Sequence, residues 1–478
     1  MATQLPSVCV IGAGPSGLAT CKTLSEFNIP YDCFEMSSEV GGNWVLRNPN
    51  GRSACYASLE TNTSKELMRF SDFPLPEDWP DYPHHTHMRQ WFNTYVDHFG
   101  FRHHIRFNTK VEHAARLDDG VWSLTLSNGE VQYYDALIVA NGNYWDAKIP
   151  SFPGHFGGAS FHVHAYIDPT DPIRCIGKHV VIVGMGNSGC EIAVELSRPR
   201  VARTVWLSAR SGNRIMPKYV NGKPISANRP FLLPTETLPF PFASMPPRVR
   251  DWLFRKLFTR MVNKATRTMP IQPHAVGLPP PPADPTSKRF VANQHILQAL
   301  RDREVIVKPN IARFAGGTVV FTDGSSETVD IVIYATGYRQ SFPFFDDQLL
   351  GAPGDDVALY RNVMHPRYHN LFIVGMYRPL CAFWPLAEQQ ARWIAPLLAG
   401  EYALPRQSEL DRRTFPILKI PAFNCAFYGH DLRLDTQRGK KRAQQPGFQP
   451  PIQALAWRYP ERGAEAGLTH SQRKSVPG

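Results

Sequence analysis

Two glycine-rich turns supply the pattern in this chain that is best suited to chemistry. Both have the spacing G-x-G-x-x-G and follow a short apolar run, SVCVI before the first and HVVIV before the second. The glycines are Gly12, Gly14 and Gly17 in the first turn, and Gly184, Gly186 and Gly189, with Ser188 among them, in the second. Glycines at this spacing let the backbone turn tightly and approach a pyrophosphate, which the following helix N-terminus stabilises. Each turn therefore predicts a dinucleotide site.

One charged residue at the end of each second strand distinguishes the two sites. Glu35 ends the run YDCFE, and a carboxylate there accepts hydrogen bonds from a free ribose 2′-hydroxyl and repels a 2′-phosphate. In the second unit Arg210 follows the run TVWLSA, and a guanidinium suits a 2′-phosphate. We therefore expect FAD or NAD at the first turn and NADPH at the second. The alternative for Arg210 is a solvated loop arginine.

The asymmetry between the two sites predicts an electron-transfer enzyme that binds FAD and NADPH. In such enzymes the protein positions the nicotinamide against the flavin, and the flavin performs the difficult chemistry. Flavoproteins of this shape often carry a redox-active C-x-x-C pair, and this sequence has none. Dioxygen is therefore the expected acceptor of the flavin's electrons.

The elements that must position these residues are two βαβ units. Residues 7–11 read as a strand, 18–27 have helical spacing and 31–35 read as a second strand, and a similar order begins at 178. This pattern predicts an α/β fold with two Rossmann-like dinucleotide-binding domains, for FAD and NADPH, the second inserted in the first.

The expected domain boundaries follow composition along the chain. Residues 1–168 form the first part of the FAD domain, and 169–330 form the NADPH domain, with a Pro-rich insertion at about 217–292. Residues 331–403 complete the FAD domain. From 404 to 478 the chain is polar, Pro-rich and basic, which predicts an extended arm and a disordered tail.

Composition limits the classes of protein and the partners. The chain has 478 residues, 43% of them hydrophobic, and no apolar run long enough for a membrane span. Its N-terminus shows no signal peptide, and its eight cysteines are scattered, which together predict a cytoplasmic location. The net charge of +11 suits anionic cofactors or membranes. Nucleic-acid binding is not expected, because no zinc-finger spacing or RNA-binding signature occurs.

Several segments together resemble class B flavin-dependent monooxygenases, in particular the flavin-containing monooxygenase and YUCCA-like family. The segment FGGASFHVHAY, ending at Tyr166, is similar to the family fingerprint, whose relatives of Baeyer–Villiger type usually end in Trp. Further similar segments are GGNW (41–44), LETNTSKELMRFSDFPLP (59–76), IYATGY (333–338) and AEQQARW (387–393). One segment departs from the family: the first ATG-like site reads VANGNY (139–144).

The resemblance implies roles for individual residues. Gly42 and Trp44 would contact the flavin, and Asn62 would be the catalytic residue beside the flavin and bound NADP⁺. Thr336 and Gln390 (or its neighbour Gln389) would lie near the flavin. His162 would serve the linker between the domains rather than transfer a proton. Ser208 or Ser211 would assist Arg210 at the NADPH phosphate.

The implied reaction is NADPH-dependent oxygenation. Reduced FAD forms a hydroperoxide with O2, shielded by NADP⁺ and Asn62, and a soft nitrogen or sulfur of a small-molecule substrate attacks its distal oxygen. The nearest alternative is Baeyer–Villiger or YUCCA-like carbonyl oxygenation. An uncoupled flavin reductase or NADPH oxidase is a further alternative. A non-enzymatic scaffold is disfavoured because both glycine motifs are intact. A homodimer is a prior for enzymes of this size.

Two other features carry weaker hypotheses. The histidines in PHHTH (83–87) and at 103–104 suggest a metal site, but adjacent histidines point apart on most backbones, so none is expected. The segment 248–264 is basic and amphipathic. It predicts weak peripheral contact with an anionic membrane, the wall of a substrate channel, or a helix that packs its apolar face on its own domain.

Overall fold

The computed structural model describes residues 4–225, 233, 237–288, 290–293, 295–351, 354–376, 381–416 and 425–459. Within these ranges the α-helices are α1 (Pro15–Glu26), α2 (His85–His98), α3 (Asn187–Leu196), α4 (Pro247–Arg267), α5 (Ile296–Arg301), α6 (Asp347–Leu350), α7 (Phe383–Leu398), α8 (Gln407–Arg412) and α9 (Cys425–Ala443).

The strands of the first half of the chain are β1 (Val8–Ile11), β2 (Tyr31–Phe34), β3 (Ile105–Arg106), β4 (Val111–Arg116), β5 (Trp122–Leu126), β6 (Val131–Tyr134), β7 (Ala136–Val139), β8 (Asp146–Ala147), β9 (Ala159–His162), β10 (His179–Val183), β11 (Thr204–Ser208), β12 (Ile215–Met216), β13 (Tyr219–Val220) and β14 (Lys223–Pro224). Those of the second half are β15 (Val291–Ala292), β16 (Val305–Lys308), β17 (Ile311–Ala315), β18 (Thr318–Phe321), β19 (Ser326–Thr328), β20 (Ile331–Tyr334), β21 (Tyr338–Arg339), β22 (Ala358–Tyr360), β23 (Leu371–Ile373) and β24 (Thr414–Pro416).

Two five-stranded parallel sheets organise the described chain. The first has the order β23-β7-β1-β2-β3, and the second has the order β16-β11-β10-β20-β9. In the first sheet the central strand β1 and its neighbour β7 are buried along their whole length. Strands covered on both faces read as continuous apolar runs, which is why VCVI and ALIV occur here. In each sheet the central strand leads directly into a glycine turn.

The predicted α/β fold with one dinucleotide domain inserted in another is confirmed. The first sheet takes β1, β2, β3 and β7 from the N-terminal part of the chain and β23 from beyond the second sheet. All its pairings are parallel, so the strands' carboxyl ends meet at one edge. The second sheet is likewise wholly parallel.

The strand pairing differs from the predicted boundaries after residues 168 and 330. Strand β9 pairs with β20, and β20 pairs with β10, so both belong to the second sheet. The sequence-based division had assigned both to the FAD domain. An apolar run such as IVIY is equally compatible with either sheet, because burial dictates its composition and only tertiary pairing decides its neighbours.

The prediction of an extended arm and a disordered tail from residue 404 is wrong over the described part. Helices α8 and α9 form there, β24 pairs with β22, and α9 packs on α7. The cause is a buried carboxylate, Asp435, whose side chain accepts hydrogen bonds from Arg361, Trp393 and Tyr402. Residues 460–478 lie outside the described residues.

The scattered cysteines contributed to the prediction of a cytoplasmic location, but the structure contains a disulfide bond. Cys381 and Cys425 form a disulfide across 44 residues of sequence; Cys381 lies two residues before the start of α7, and Cys425 begins α9. Only the packing of α9 on α7 brings the two together. The other six cysteines are buried free thiols.

Candidate functional site

A single cavity of about 610 Å³ joins both glycine turns. Of the residues predicted from the sequence, those that line it are Gly12, Gly14, Glu35, Gly42, Trp44, Asn62, Gly186, Ser188 and Gly189. The turns meet because each follows the carboxyl end of a central parallel strand, where ligands bind in open α/β sheets. The cavity therefore has space for two dinucleotide ends to face each other.

The first turn has the geometry that a pyrophosphate site requires. Gly12 has φ +101°, and a Cβ there would lie 2.8 Å from the carbonyl oxygen of Ala140. A Cβ on Gly17 would lie 1.8 Å from the carbonyl oxygen of Gly12. Both positions thus exclude any side chain, and α1 begins directly after Gly14. The free N–H groups of the first turn of α1 are available to an anion.

Glu35 fastens this turn and borders the cavity. Its Oε2 accepts from the Ala13 N–H at 2.7 Å, and its Oε1 accepts from the Ser37 N–H at 2.7 Å. Burial raises the pKa of this carboxyl, while the two backbone hydrogen bonds lower it. Glu35 lines the cavity with its carboxyl held in this way, and its expected contact with a ribose hydroxyl stays a prediction.

The second turn repeats this construction. Gly184 has φ +111°, and a Cβ there would lie 2.6 Å from the carbonyl oxygen of Ala335. A Cβ on Gly186 would meet no atom within 4 Å, so this position faces open space. Helix α3 starts immediately afterwards, at Asn187. A ligand can therefore approach the backbone closely at the helix N-terminus.

Arg210 lies outside the cavity, exposed, just beyond the end of β11. Its neighbour Ser211 accepts a hydrogen bond from Lys288 Nζ at 2.7 Å. Ser208 is buried and donates to the carbonyl oxygen of Pro309, so it is not free to assist Arg210. Sequence reasoning missed Lys288, because it belongs to the Pro-rich insertion and reaches Ser211 only through folding.

Three asparagines leave their side-chain oxygens unpartnered at the cavity. Asn62, Asn141 and Asn143 all line it, and the Oδ1 of each is shielded from solvent without a hydrogen-bond partner in the protein. The amide nitrogen of Asn141 donates to Ser341 O at 2.9 Å, which fixes its orientation. Buried polar atoms are normally paired, so these oxygens fit a ligand that carries N–H or O–H donors. The signal for Asn141 and Asn143 was the departure VANGNY.

Aromatic rings close the cavity beside the first turn. Trp44 stands edge-on to Trp384 at 6.0 Å between ring centroids, and Trp384 belongs to the first turn of α7. The guanidinium of Arg52 stacks over Trp145 at 3.6 Å, and burial lowers its pKa while Asp146 raises it. These side chains give the cavity an apolar wall with one cation at its edge.

Two residues that the resemblance placed near the flavin do not line the cavity. Thr336 donates from Oγ1 to the carbonyl oxygen of Lys148. Gln390 is fully buried, accepts from the Gly375 N–H at 2.9 Å and donates to the Asn362 carbonyl oxygen at 2.9 Å. Since Gly375 lines the cavity, Gln390 supports its wall from behind. The correction arises because position in a motif does not reveal which way a side chain faces.

The fingerprint residues lie at the end of β9, a strand of the second sheet, and in the short segment that follows it. The Tyr166 hydroxyl donates to Glu195 of α3 at 3.0 Å. His162 accepts at Nδ1 from the His164 N–H at 3.1 Å, and burial lowers its pKa to about 4. His162 is therefore neutral near pH 7. The structural role expected for His162 at the linker stays a prediction.

Two of the histidines considered as metal ligands are held by backbone groups. His84 Nε2 lies 2.8 Å from the carbonyl oxygen of Ala57, and His104 Nδ1 lies 3.2 Å from that of Tyr31. Over the ranges that the structure describes, no group of three or more His, Cys, Asp or Glu side chains is arranged to hold a metal ion. Nor is any helix in those ranges both long and apolar enough to cross a bilayer.

Comparison with known proteins identifies the family. A family model described as flavin-binding monooxygenase-like matches residues 6–414. Flavin-containing monooxygenase 3 of Rattus norvegicus is 32% identical over 421 residues, which cover 84% of this chain and 76% of that protein. Flavin-containing monooxygenase 5 of Mus musculus is 33% identical over 420 residues, covering 84% and 75% respectively.

Solved structures share the fold at lower identity. S-allyl-L-cysteine S-oxygenase from Allium sativum superposes with a TM-score of 0.62 at 21% identity, covering 92% of this chain and 90% of that chain. Cyclohexanone monooxygenase with bound epsilon-caprolactone gives a TM-score of 0.66 at 19% identity, covering 91% and 98%. Together with the two glycine turns and their shared cavity, these matches show that the chain belongs to the flavin-binding monooxygenase-like family and is a monooxygenase that uses FAD, NADPH and O2.

Proposed function

We propose that the cavity holds FAD at the first glycine turn and the nicotinamide end of NADPH at the second, and oxygenates a soft nitrogen or sulfur atom of a small molecule. The observation that carries this proposal is the continuity of the cavity from Gly12 to Gly186. Two separate sites would not allow direct hydride transfer, whereas one cavity lets the reacting rings approach within the near-attack distance of roughly 3–3.5 Å.

The chain's own residues bind, orient and exclude water. Gly12 and Gly14 give the pyrophosphate access to the start of α1, and Glu35 accepts from the ribose. Bound FAD supplies the redox chemistry, carrying two electrons from NADPH to dioxygen. The Oδ1 atoms of Asn62 and its two counterparts accept from donors of the bound rings. Trp44 and Trp384 keep water from the reacting atoms, which suppresses wasteful release of hydrogen peroxide.

Oxygenation of nitrogen or sulfur needs no acid–base pair on the protein, and none of the titratable residues of the fingerprint reaches the cavity. His162 is neutral and does not line the cavity. Tyr166 is buried against Glu195 and likewise does not line it, so the fingerprint tyrosine does not contact substrate. The relatives at 32–33% identity are flavin-containing monooxygenases, whereas the carbonyl-oxygenating enzyme shares 19%. The higher identity to the flavin-containing monooxygenases favours a soft nitrogen or sulfur nucleophile over a ketone as the substrate.

The test is a direct comparison of products. The purified enzyme with bound FAD receives NADPH and ¹⁸O2, together with a thioether, a tertiary amine or a cyclic ketone at equal concentration. The expected result is a sulfoxide or an N-oxide that contains one ¹⁸O atom, with little lactone. Lactone as the dominant product would overturn the assignment in favour of carbonyl oxygenation. NADPH consumption with only hydrogen peroxide formed for every substrate would favour an oxidase.

A second candidate property, weak peripheral contact with anionic membranes, is favoured by α4. Four large apolar residues of this helix are exposed: Val249, Trp252, Leu257 and Met261. Phe258 and Val262 of the same helix are buried against the protein. The helix therefore packs only part of its apolar surface on its own domain and leaves a second stripe uncovered. Exposed basic residues, among them Arg255 and Lys256, lie beside and between these apolar side chains, and the Lys256 Nζ sits 4.9 Å from the centroid of the Trp252 ring.

A homodimer and a cytoplasmic location stay predictions from the sequence. Size-exclusion chromatography with light scattering tests the first, and cell fractionation tests the second. The disulfide between Cys381 and Cys425 bears on the location, because reducing compartments keep thiols free. Mass spectrometry of alkylated protein from the cell shows whether this pair is oxidised there.

A further inference from the structure

Helix α3 directs two glutamates, one turn apart, at the first domain. Glu191 accepts a hydrogen bond from the hydroxyl of Tyr56. Glu195 accepts from the Ser58 hydroxyl at 3.0 Å and from the Tyr166 hydroxyl at 3.0 Å. Because α3 begins at the second glycine turn, these contacts tie the start of the coenzyme site to the segment that carries Asn62.

The Asn62 side chain lies beside Glu191 and lowers the pKa of its carboxyl, as a hydrogen-bond donor does, whereas Glu195 is held by Ser58 and Tyr166. An ionised carboxylate only accepts hydrogen bonds, so the amide nitrogen of Asn62 must be the atom that faces it. The Asn62 Oδ1 is then the atom that has no partner in the protein, and Asn62 lines the cavity. The carboxylate thus decides which end of the amide serves the ligand.

We propose that Glu191 is a positioning residue that selects the orientation of the Asn62 amide, so that its ionised form makes Asn62 present an acceptor to the flavin–nicotinamide end of the cavity. This inference rests on the proposed function, because it assigns a consequence to the orientation of Asn62 beside bound FAD and NADPH. The contact crosses from α3 to the loop that holds Asn62, so the orientation also depends on how the two domains meet.

The surroundings of Glu191 make its charge sensitive to pH near neutrality. Burial raises the pKa of Glu191 to about 7, with Tyr56, Lys218 and Asn62 lowering it and Glu60 raising it further. Lys218 Nζ lies 3.2 Å from Glu60 Oε2, which divides its charge between the two carboxylates. Tyr56 keeps its proton, because burial and Glu191 raise its pKa well above its usual range.

Protonation of Glu191 would remove the preference of the Asn62 amide for one orientation. A neutral carboxyl carries an O–H donor, which allows the Asn62 amide to turn and accept with Oδ1. The Asn62 NH2 group would then face the cavity. The ligand would meet a hydrogen-bond donor where the Asn62 Oδ1 had offered an acceptor. Protonation is half complete at the pKa and about 90% complete one pH unit below it. The loss of the acceptor should therefore develop as pH falls from about 8 to about 6.

The experiment measures the fraction of oxidised NADPH that appears as hydrogen peroxide, from pH 6 to pH 8, with a thioether present. The wild-type enzyme should release several-fold more peroxide at the acidic end, with its inflection near pH 7. Glu191→Gln removes the titration and should flatten this profile. Tyr56→Phe removes a hydrogen bond that lowers the Glu191 pKa, and it should move the inflection to higher pH.

Glu195→Gln is the matched control, because Glu195 shares the helix and the tyrosine contact but lies one turn from Glu191. It should keep the wild-type profile. Flavin content and the rate of flavin reduction by NADPH are recorded for each variant, so that misfolding is separated from uncoupling. If Glu191→Gln fails to retain flavin, Tyr56→Phe alone decides by the shift of its inflection.

The outcomes separate the two proposals. Equal pH profiles in the wild type, Glu191→Gln and Tyr56→Phe, with normal flavin reduction, would overturn the role of Glu191 and leave the proposed function standing. Absence of NADPH-dependent flavin reduction in the wild type would overturn the proposed function and this inference with it.

Discussion

Lys288 donates a hydrogen bond from Nζ to the Oγ of Ser211 at 2.7 Å, which places a lysine of the Pro-rich insertion beside Arg210. Lys288 also lies 3.4 Å from the carbonyl oxygen of Gly212. Both cations stand at the carboxyl end of β11, beyond the second glycine turn. Two donors at this point suit a phosphate better than one, since each oxygen of a phosphate accepts charge-assisted hydrogen bonds.

We predict that Arg210→Ala and Lys288→Ala each raise the KM for NADPH and leave the KM for NADH nearly unchanged. A hydrogen bond to a charged group contributes about 1.5–3 kcal/mol, so an increase of about tenfold or more is expected for each variant. Steady-state kinetics with both coenzymes provides the measurement. Arg203→Ala is the control, an exposed arginine at the opposite end of β11. Equal losses with NADPH and NADH would remove both residues from the phosphate site.

The Asn62 side chain supplies the second prediction. Asn62→Ala should still allow NADPH to reduce the flavin, because the glycine turns and the phosphate site are untouched. It should lose the acceptor at the cavity, so most of the NADPH consumed should end as hydrogen peroxide instead of oxygenated product. Coupled assays of NADPH, peroxide and product give the ratio. Asn128→Ala, in a surface turn whose asparagine does not line the cavity, should behave as wild type. Full coupling in Asn62→Ala would contradict the role.

The parts of the site that depend on backbone geometry were predictable from the sequence. Gly12 and Gly184 follow buried strands, and their positive φ and close contacts leave no choice of residue. Glu35 could also be placed, because its position follows from the length of one βαβ unit. Such residues have a local cause, so local sequence identifies them.

Residues whose function depends on a distant partner could not be placed from the sequence. Lys288 reaches Ser211 across 77 positions, and Glu191 meets Tyr56 across 135. Gln390 and Thr336 lie in recognisable motifs, yet their side chains bind backbone carbonyls away from the cavity. The sheet to which β20 belongs could not be predicted from the sequence for the same reason. Tertiary contacts of this kind leave no periodic or compositional trace in one sequence.

The exposed stripe of α4 leads to the third prediction. The enzyme should float with anionic liposomes at low ionic strength, because the apolar stripe would enter the interface while the basic residues contact the headgroups. Trp252 is 59% exposed and should contribute most, so Trp252→Asp should reduce flotation. Raising the salt concentration to about 1 M, where the Debye length falls to about 3 Å, should release the protein.

The control for this surface is another exposed tryptophan. Trp457 is 65% exposed and lies outside α4, so Trp457→Asp should float like the wild type. Protein that stays at the bottom of the gradient with anionic liposomes at low salt would contradict membrane contact. Equal loss of flotation in both variants would show that α4 is not the contact surface.

Asp435 attaches helix α9 to the rest of the protein through several hydrogen bonds. Its Oδ2 accepts from the Tyr402 hydroxyl at 2.7 Å and from Trp393 Nε1 at 3.0 Å, and its Oδ1 accepts from Arg361 at 2.7 Å. Burial would raise the pKa of this carboxyl, but Arg361 and the hydrogen-bond donors outweigh it and lower the pKa. A carboxyl with a lowered folded-state pKa stabilises the fold at pH values above its unfolded pKa of about 3.9.

The fourth prediction is that Asp435→Asn destabilises the enzyme strongly at pH 7. It leaves the Arg361 guanidinium, whose side chain is 17% exposed, without its counter-charge, and removing one partner of a largely buried pair costs up to about 3–5 kcal/mol. Thermal unfolding followed by flavin fluorescence, with proteolysis at α9 as a second readout, measures the loss. Asp411→Asn on the exposed face of α8 should change stability by no more than about 0.5 kcal/mol.

The pH dependence of this difference identifies its cause. The wild type should lose its advantage over Asp435→Asn as the pH falls below about 4 toward the lowered folded-state pKa, because protonation then makes the two side chains equivalent in charge. Above that range the advantage should stay constant. If the two proteins differ equally at pH 7 and in acid, the loss comes from packing around Asp435 and its ion pair with Arg361 contributes little.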